Sequence, residues 1–176
     1  MNTILEKIRT ALPNFLVKQI QQQNYNEVLG LAQSNKKYYE YELGRDVTYD
    51  DVVNGILECP PMIPKEQKFF IGLYQENQLI AIMDFLLGYP NESTVWIGLF
   101  MLDNSLQQSG IGTKVITAFK QVVKDSGYLF IQLGCLVENK DGYSFWTKNN
   151  FVEVCRVVTK EQGRKDWNII VMEAKL

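Results

Sequence analysis

The chain has 176 residues, of which 46% are hydrophobic and 22% charged, so it is long enough for one domain with a sizeable core and too apolar for a disordered chain. Its formal net charge of -2, with acidic and basic residues interleaved, offers no basic field for a nucleic acid backbone. The chain contains no histidine, which excludes Ser-His-Asp and Cys-His hydrolysis, histidine-ligated metals and histidine acid-base chemistry. Any catalysis would depend on carboxylates, tyrosines, a thiol, water or backbone dipoles.

The start of the chain and its cysteines predict a cytosolic protein. The first residues alternate between polar and apolar types instead of forming the apolar run of a signal peptide, and no later run approaches a membrane span. Cys59, Cys135 and Cys155 are few, odd in number and far apart, so we predict neither a disulfide framework nor a metal site. Each cysteine is predicted to be a small buried residue.

The first part of the chain predicts a strand and two helices after a helical arm. Hydrophobic periodicity and boundary residues predict an arm over Thr3 to Ala11, a strand over Phe15 to Ile20, a helix over Tyr25 to Ser34 and a helix that Cys59-Pro60-Pro61 stops. Asn24 is predicted to cap the helix at Tyr25. Thr48 and Asp51 resemble a capping box for the next helix.

From Lys68 onward the periodicity changes to that of strands. The predicted elements are strands over Lys68 to Tyr74, Leu79 to Leu87 and Thr94 to Leu102, a helix over Gly112 to Lys124, a strand over Tyr128 to Val137, a helix over Asp141 to Asn149, and strands over Phe151 to Val158 and Asn168 to Ala174. The strand from Thr94 has too few polar residues for a solvated face, so it is predicted to be central. The order predicts a mixed α/β sheet in one domain over residues 1 to 176.

A glycine turn, Gln107 to Gly112 (QQSGIG), lies between the apolar strand and the helix. Such a turn directs unpaired backbone N–H groups and the positive end of a helix dipole to one spot, where anions bind. Gly110 and Gly112 allow a phosphate close to the backbone, and Thr113 and Lys114 add a hydroxyl and a charge. A tight connection without a ligand would show the same glycines.

Two nucleotide motifs do not match this turn. It lacks the spacing of a P-loop, and Val115 stands where a dinucleotide turn has its third glycine.

The turn resembles the pyrophosphate loop of the GNAT superfamily of acyl-CoA-dependent N-acyltransferases, Q/R-x-x-G-x-G/A, with Gln107, Gly110 and Gly112 at the matching positions. A second family segment is similar to Asn139, Gly142, Phe145, Trp146, Lys148, Asn150 and Phe151. The resemblance implies a GNAT-like fold with a central, mostly antiparallel mixed sheet flanked by helices. It also implies acetyl-CoA as cosubstrate and no metal.

The resemblance places coenzyme A in a gap between the strand ending at Leu102 and the strand ending near Val137. The implied contacts are Phe100, Met101, Leu102, Gln107, Gln108, Ser109, Gly110, Ile111, Gly112, Thr113, Asn139, Phe145, Trp146 and Lys148. A backbone N–H near Phe100 to Leu102 would stabilise the oxyanion when an amine attacks the thioester directly.

Three side chains are candidates for proton transfer. Asp84 is the only charge in the apolar run LIAIMDFLL, is expected level with Gly98, and is the first candidate base; a carboxylate on the wetter face or in an ion pair is the alternative. Glu138 is the second candidate base, with a solvated loop carboxylate as its alternative. The family's tyrosine acid is replaced by Trp146, whose indole N–H is not a useful acid, and Tyr143 is the substitute unless it only packs. Cys135 either points into the gap or is buried.

The acceptor is expected to be a primary amine on a small molecule or peptide, with no nucleic acid or membrane partner. By family analogy the acceptor groove borders Tyr38, Tyr39, Glu40, Tyr41 and Glu42. Their aromatic faces and carboxylates suit a cation, and a solvated amphipathic surface is the alternative. A homodimer is compatible with the sequence. The competing function is a non-catalytic sensor or interaction module of the same fold, which the missing tyrosine favours.

Overall fold

Seven strands form one sheet in the computed structural model, which describes residues 3 to 159 and 166 to 176. The helices are α1 (Ile4–Ala11), α2 (Tyr25–Ser34), α3 (Lys36–Glu42), α4 (Tyr49–Leu57), α5 (Ile111–Asp125) and α6 (Lys140–Lys148). The strands are β1 (Leu16–Gln19), β2 (Lys68–Gln75), β3 (Gln78–Leu87), β4 (Thr94–Leu102), β5 (Phe130–Leu136), β6 (Val152–Thr159) and β7 (Trp167–Lys175).

The strand order is β1-β2-β3-β4-β5-β7-β6, and every neighbouring pair is antiparallel except β4 and β5, which are parallel. The parallel pairing runs only from Thr94 opposite Phe130 to Ile97 opposite Leu133. Beyond Ile97, β4 continues to Leu102 and β5 continues to Leu136 without pairing to each other. We call the space between these unpaired segments the β4–β5 gap.

The alternation of side chains along the strands supplies a separate core on each face of the sheet. On one face Met83 and Phe85 pack with Ile8 of α1 and Phe119 of α5. On the other face the neighbouring residues pack against α2 and α4, in a cluster that includes Phe70, Ile82, Val28, Leu31, Val52 and Ile56. The β4–β5 gap therefore connects the face of the sheet that carries α5 with the face that carries α2 and α4.

The structure agrees with the predicted order of elements except for helix α3, which was not predicted, and it agrees with the central place of β4. The capping box is also confirmed, because Thr48 Oγ accepts from the Asp51 N–H while the Thr48 N–H donates to the Asp51 carboxylate at 2.8 Å. Among the described residues, no helix combines the length and the apolar character needed to cross a membrane.

The prediction that the Asn24 side chain caps α2 is wrong. A short 3-10 turn over Gln22–Asn24 runs directly into α2, so Asn24 already has helical angles (φ -96, ψ -3). An N-cap side chain needs an extended backbone to reach the first free N–H groups of its helix. The Asn24 Oδ1 instead accepts from the Gln21 N–H at 3.2 Å.

Two further expectations need correction. Cys135 is buried as predicted, but Cys59 is only partly buried and Cys155 is exposed, because Cys155 lies on the edge strand β6, where almost every residue faces solvent. The tyrosine-rich stretch forms the unpredicted helix α3, which buries Tyr39 and leaves Glu40 exposed, as an amphipathic helix does.

Candidate active site

The turn before α5 presents free backbone donors at the start of a helix. Gln108 and Gly110 both have left-handed angles, φ +62 and +84, and the helix begins at Ile111. Within the described part of the chain, the N–H groups of Ser109, Gly110, Gly112 and Thr113 donate to no other protein group. No heavy atom lies within 4 Å of a Cβ placed on Gly110. These free donors, the helix dipole and the open approach fit a phosphate.

A buried asparagine that the sequence analysis missed holds this turn. The Gln107 Nε2 donates to the Asn35 Oδ1 at 2.8 Å. The Asn35 Nδ2 donates at 3.1 Å to the Leu102 carbonyl at the end of β4, and at 3.1 Å to the Leu31 carbonyl in α2. Asn35 thus connects α2, the edge of the β4–β5 gap and the glycine turn. A lone amide between two helices gives no signal of this in the sequence.

A bulge in β4 opens the sheet beside Asp84. Asp84 lies opposite Leu99 and Phe85 lies opposite Ile97, so Gly98 is an extra residue on β4. A Cβ added to Gly98 would lie 2.6 Å from the Asp84 Oδ2. The Asp84 carboxylate therefore lies directly over Gly98, at the level where the sequence placed it.

Asp84 is held in an ion pair with Lys68, the alternative that the sequence analysis had left open. The Lys68 Nζ lies 2.7 Å from the Asp84 Oδ1, and the two side chains are 10% and 14% exposed. Burial raises the pKa of Asp84 above its ordinary value, although the positive charge of Lys68 acts in the opposite direction.

A cavity of about 540 Å³ lies on this face of the sheet, between the strands and α2 to α4. Asp84, Lys68, Gly98 and Leu99 line its floor. Its other aromatic and charged lining residues are Tyr38, Tyr39, Glu42, Arg45, Asp51, Glu58, Phe70, Trp96 and Trp167. The volume is in the range that holds a small ligand.

The charges that line the cavity include two ion pairs and two further carboxylates. Lys68 pairs with Asp84, and Arg45 Nη1 lies 2.6 Å from Asp51 Oδ2. The hydrogen bond from Arg45 is the main reason that the pKa of Asp51 is well below its usual range. Glu42 and Glu58 give the lining a net negative charge. Of the predicted acceptor groove, Tyr38, Tyr39 and Glu42 line the cavity, whereas Glu40 and Tyr41 do not.

Helix α3 connects the two sides of the β4–β5 gap. Its Lys37 Nζ lies 2.8 Å from Asp141 Oδ2 of α6, and the Trp167 Nε1 of β7 donates to the Glu42 carbonyl at 2.7 Å. Asn35, directly before α3, bonds to the end of β4 as described above. The cavity therefore has α3 as a wall that is attached on both sides.

The other proposed catalytic residues lie away from Asp84. Tyr143 lines a second cavity of about 330 Å³ together with Val137, Lys140, Arg156 and Ile170, none of which lines the first. Glu138 is exposed after β5 and lines neither cavity. The Cys135 thiol is buried, and burial raises its pKa to about 11.

The α6 segment is built around aromatic packing. Trp146 is buried, with its ring centroid 6.2 Å from that of Phe100, 5.0 Å from Phe145 and 5.1 Å from Phe151. Phe145 packs on the first turn of α5, where a Cβ added to Gly112 would lie 3.0 Å from its ring.

The polar residues of this segment are at the ends of α6. The Asn139 Oδ1 accepts from the Gly142 N–H at 2.9 Å and caps α6, and Lys148 is exposed in its last turn.

A mixed sheet whose parallel pair parts in the middle, with a donor-rich glycine turn on one side and a cavity on the other, defines the acetyltransferase class of α/β fold. The chain belongs to the acetyltransferase (GNAT) family, whose family model matches residues 31–151. A comparison with curated proteins found no match.

Several solved acetyltransferases share the fold. An acetyltransferase from Thermus thermophilus has a TM-score of 0.72 at 16% identity, covering 93% of this chain and 97% of that chain. The ribosomal L7/L12 alpha-N-protein acetyltransferase RimL has a TM-score of 0.72 at 13% identity, covering 93% and 91%. An N-acetyltransferase from Staphylococcus aureus Mu50 has a TM-score of 0.65 at 13% identity, covering 92% and 98%. At these low sequence identities, the structural similarity shows a shared fold and says nothing of the substrate.

Proposed function

We propose that the protein transfers an acetyl group from acetyl-CoA to a primary amine by direct attack in a ternary complex. The observation that carries the proposal is the set of free N–H groups at Ser109, Gly110, Gly112 and Thr113. They lie beside the β4–β5 gap, and the cavity of about 540 Å³ lies on the other face of the sheet. Family membership supports acetyl-CoA as the cosubstrate. Once bound, acetyl-CoA supplies the activated acetyl group.

The residues along the gap have distinct tasks in this proposal. The turn at Gly110 binds the pyrophosphate, because its N–H groups have no protein acceptor and a Cβ added to Gly110 would meet no atom within 4 Å. The backbone from Gly98 to Leu102 pairs with β3, apart from the bulge at Gly98, but not with β5, so its edge toward β5 lines the pantetheine arm and offers N–H groups for the oxyanion. The amine forms its bond to the acetyl carbon while the carbon–sulfur bond breaks.

Asp84 is the proposed acceptor of the proton that the amine loses. An alkylammonium has a pKa of about 10, so it needs a base before it can attack. The Asp84 Oδ2 faces Gly98 and the Oδ1 faces Lys68. Burial raises the pKa of Asp84 and so makes it a better base than an exposed aspartate. Glu138, outside this cavity, is the second candidate base, and Tyr143, also outside it, is the candidate acid in place of the family's tyrosine.

The cavity supports an acceptor that is positively charged before it reacts. Its lining contains more carboxylates than cations, and the faces of Tyr39, Trp96 and Trp167 suit an ammonium group. The RimL neighbour is an alpha-N-protein acetyltransferase, so a peptide N-terminus belongs in a substrate panel beside small amines.

Two glycines at opposite ends of α5 provide a matched test of the coenzyme A site. Gly110 and Gly127 have similar left-handed angles, φ +84 and +93, and neither has an atom within 4 Å of an added Cβ. Gly110→Asp and Gly127→Asp should therefore cost similar strain, about 1–2 kcal/mol. Only Gly110→Asp places a carboxylate at the phosphate turn, so coenzyme A binding by calorimetry should weaken about 10-fold or more in that variant alone. Equal binding by the two folded variants would refute the assignment.

A coenzyme A-binding sensor is the second candidate function, because Trp146 is buried where the family has its tyrosine acid. Release of free thiol from acetyl-CoA with a panel of amines separates the two functions. Turnover with any amine supports the enzyme, and tight coenzyme A binding without turnover supports the sensor.

A further inference from the structure

The cavity proposed for the acceptor amine already contains a primary amine. Among the described residues that line it, Lys68 is the only lysine. Its Nζ lies 2.7 Å from the Asp84 Oδ1, and its side chain is 10% exposed. The Lys37–Asp141 pair has nearly the same length, 2.8 Å, but its lysine is 66% exposed and lies outside the cavity. The two pairs thus have similar lengths but differ in location and in burial.

We propose that Lys68 is a self-acetylation site, at which the protein transfers the acetyl group of acetyl-CoA to its own Lys68 Nζ when no external acceptor occupies the cavity. The inference rests on the proposed acetyl transfer. The Lys68 nitrogen forms an amide bond to the acetyl carbon, the carbon–sulfur bond of the thioester breaks, and coenzyme A leaves as the thiol. The ammonium loses two protons in the process: one ends on the thiol and the other passes through Asp84 to solvent.

The arrangement of Asp84 between Lys68 and Gly98 supports this step. One carboxylate oxygen contacts the lysine and the other lies over Gly98, which has no side chain to separate the cavity from the β4–β5 gap. The lysine side chain is a flexible four-carbon stem, so its nitrogen can move past the carboxylate toward the gap. Because burial favours the neutral form of Asp84, transfer of a proton from Lys68 to Asp84 is less costly than at the surface.

Acetylation would change the cavity in two ways that oppose binding of an external acceptor. The acetamide has no charge, so Asp84 loses its ion pair inside the cavity. The added acetyl group also occupies space that the acceptor needs. Self-acetylation at Lys68 would therefore slow turnover when amine is scarce and acetyl-CoA is abundant.

The experiment incubates the full chain with acetyl-CoA and no amine, and follows acetylation of each lysine by peptide mass spectrometry. Lys68 should react about 10-fold or more faster than Lys37, because a positioned amine outcompetes one that reacts by collision. The Lys68 rate should not depend on protein dilution, and it should be lost in Gly110→Asp but kept in Gly127→Asp. Acetylation of Lys68 no faster than of Lys37, or undiminished in Gly110→Asp, would overturn the inference.

Lys68→Arg provides a second readout, because it keeps a cation beside Asp84 but removes the nucleophile. The variant should lack the rapid mass increase of one acetyl group that the wild type shows. If the rapid increase persists, the modified residue is not Lys68 and the inference is wrong. A parallel assay with the amine panel separates the two failures. Transfer to an added amine with Lys68 unmodified overturns only the self-acetylation, whereas coenzyme A binding with neither product overturns the acetyl transfer as well.

Discussion

Asn35→Ala removes the connection that holds the glycine turn to the edge of the β4–β5 gap. Asn35 is 6% exposed, and its amide bonds to Gln107, Leu102 and Leu31. A net hydrogen bond contributes about 1 kcal/mol, and a buried carbonyl left without a donor costs more. We expect the free energy of unfolding to fall by about 2–4 kcal/mol. For a chain of this size, that corresponds to a melting temperature lower by roughly 5–15 °C.

Coenzyme A affinity distinguishes this role from simple packing. With Gln107 released, the turn must order itself on binding, so the Kd should rise about 10-fold in calorimetry well below the melting temperature. Thr94→Val is the matched control, since Thr94 is 1% exposed at the opposite end of β4 and its hydroxyl bonds to Asn91 Oδ1 at 3.0 Å. It should lower stability by about 1 kcal/mol and leave coenzyme A affinity unchanged. A folded Asn35→Ala protein with wild-type affinity would refute the reasoning.

Gly98→Ala should slow acetyl transfer while leaving coenzyme A affinity near wild type. The alanine Cβ would lie 2.6 Å from the Asp84 Oδ2 and must displace the carboxylate. An unchanged kcat would contradict this placement of Asp84. Asp84→Asn should lower kcat about 100-fold or more. In the wild type the rate should fall as the pH drops through the raised pKa of Asp84, because only the ionised carboxylate accepts a proton, and the acid limb should lie above the ordinary aspartate value of about 3.9. A pH–rate profile that keeps this limb in Asp84→Asn would remove Asp84 as the base. Since the variant leaves Lys68 without its ionised partner, its folding is checked by circular dichroism.

The features that the sequence predicted well depend on residues close together in the chain. The hairpin turn between β2 and β3 and the next turn fix the strand register, which is why Asp84 was expected level with Gly98 and is observed opposite Leu99 beside it. The glycine turn is equally local, because Gly110 and the start of α5 are adjacent. The parting of β4 from β5 came from the family resemblance, and the loss of pairing after Ile97 agrees with it.

The missed features are contacts between distant parts of the chain. The choice of Lys68 among many lysines as the partner of Asp84 depends on cross-strand packing, and Asn35 contacts Gln107, 72 residues away. Helix α3 has no continuous apolar stripe in its sequence. Its anchors are tertiary: buried Tyr39, and the bond from Trp167 to the Glu42 carbonyl. Periodicity cannot predict an element that is stabilised in this way.

The environment of the gap argues that water, and not a side chain, protonates the departing thiolate. An ordinary thiol has a pKa of about 8.5, so a useful acid needs a comparable value. Among the described residues beside the gap, Tyr38 has its pKa raised well above the usual tyrosine value, first by burial and then by Glu42. Burial raises the pKa of Cys135 to about 11, and Trp146 is packed in the aromatic core. Tyr143, the candidate acid from the sequence, lines the separate second cavity and not the first. If the thiolate leaves without such help, the transfer rate should depend strongly on the acidity of the leaving thiol, so acetyl donors with more acidic thiols should react faster.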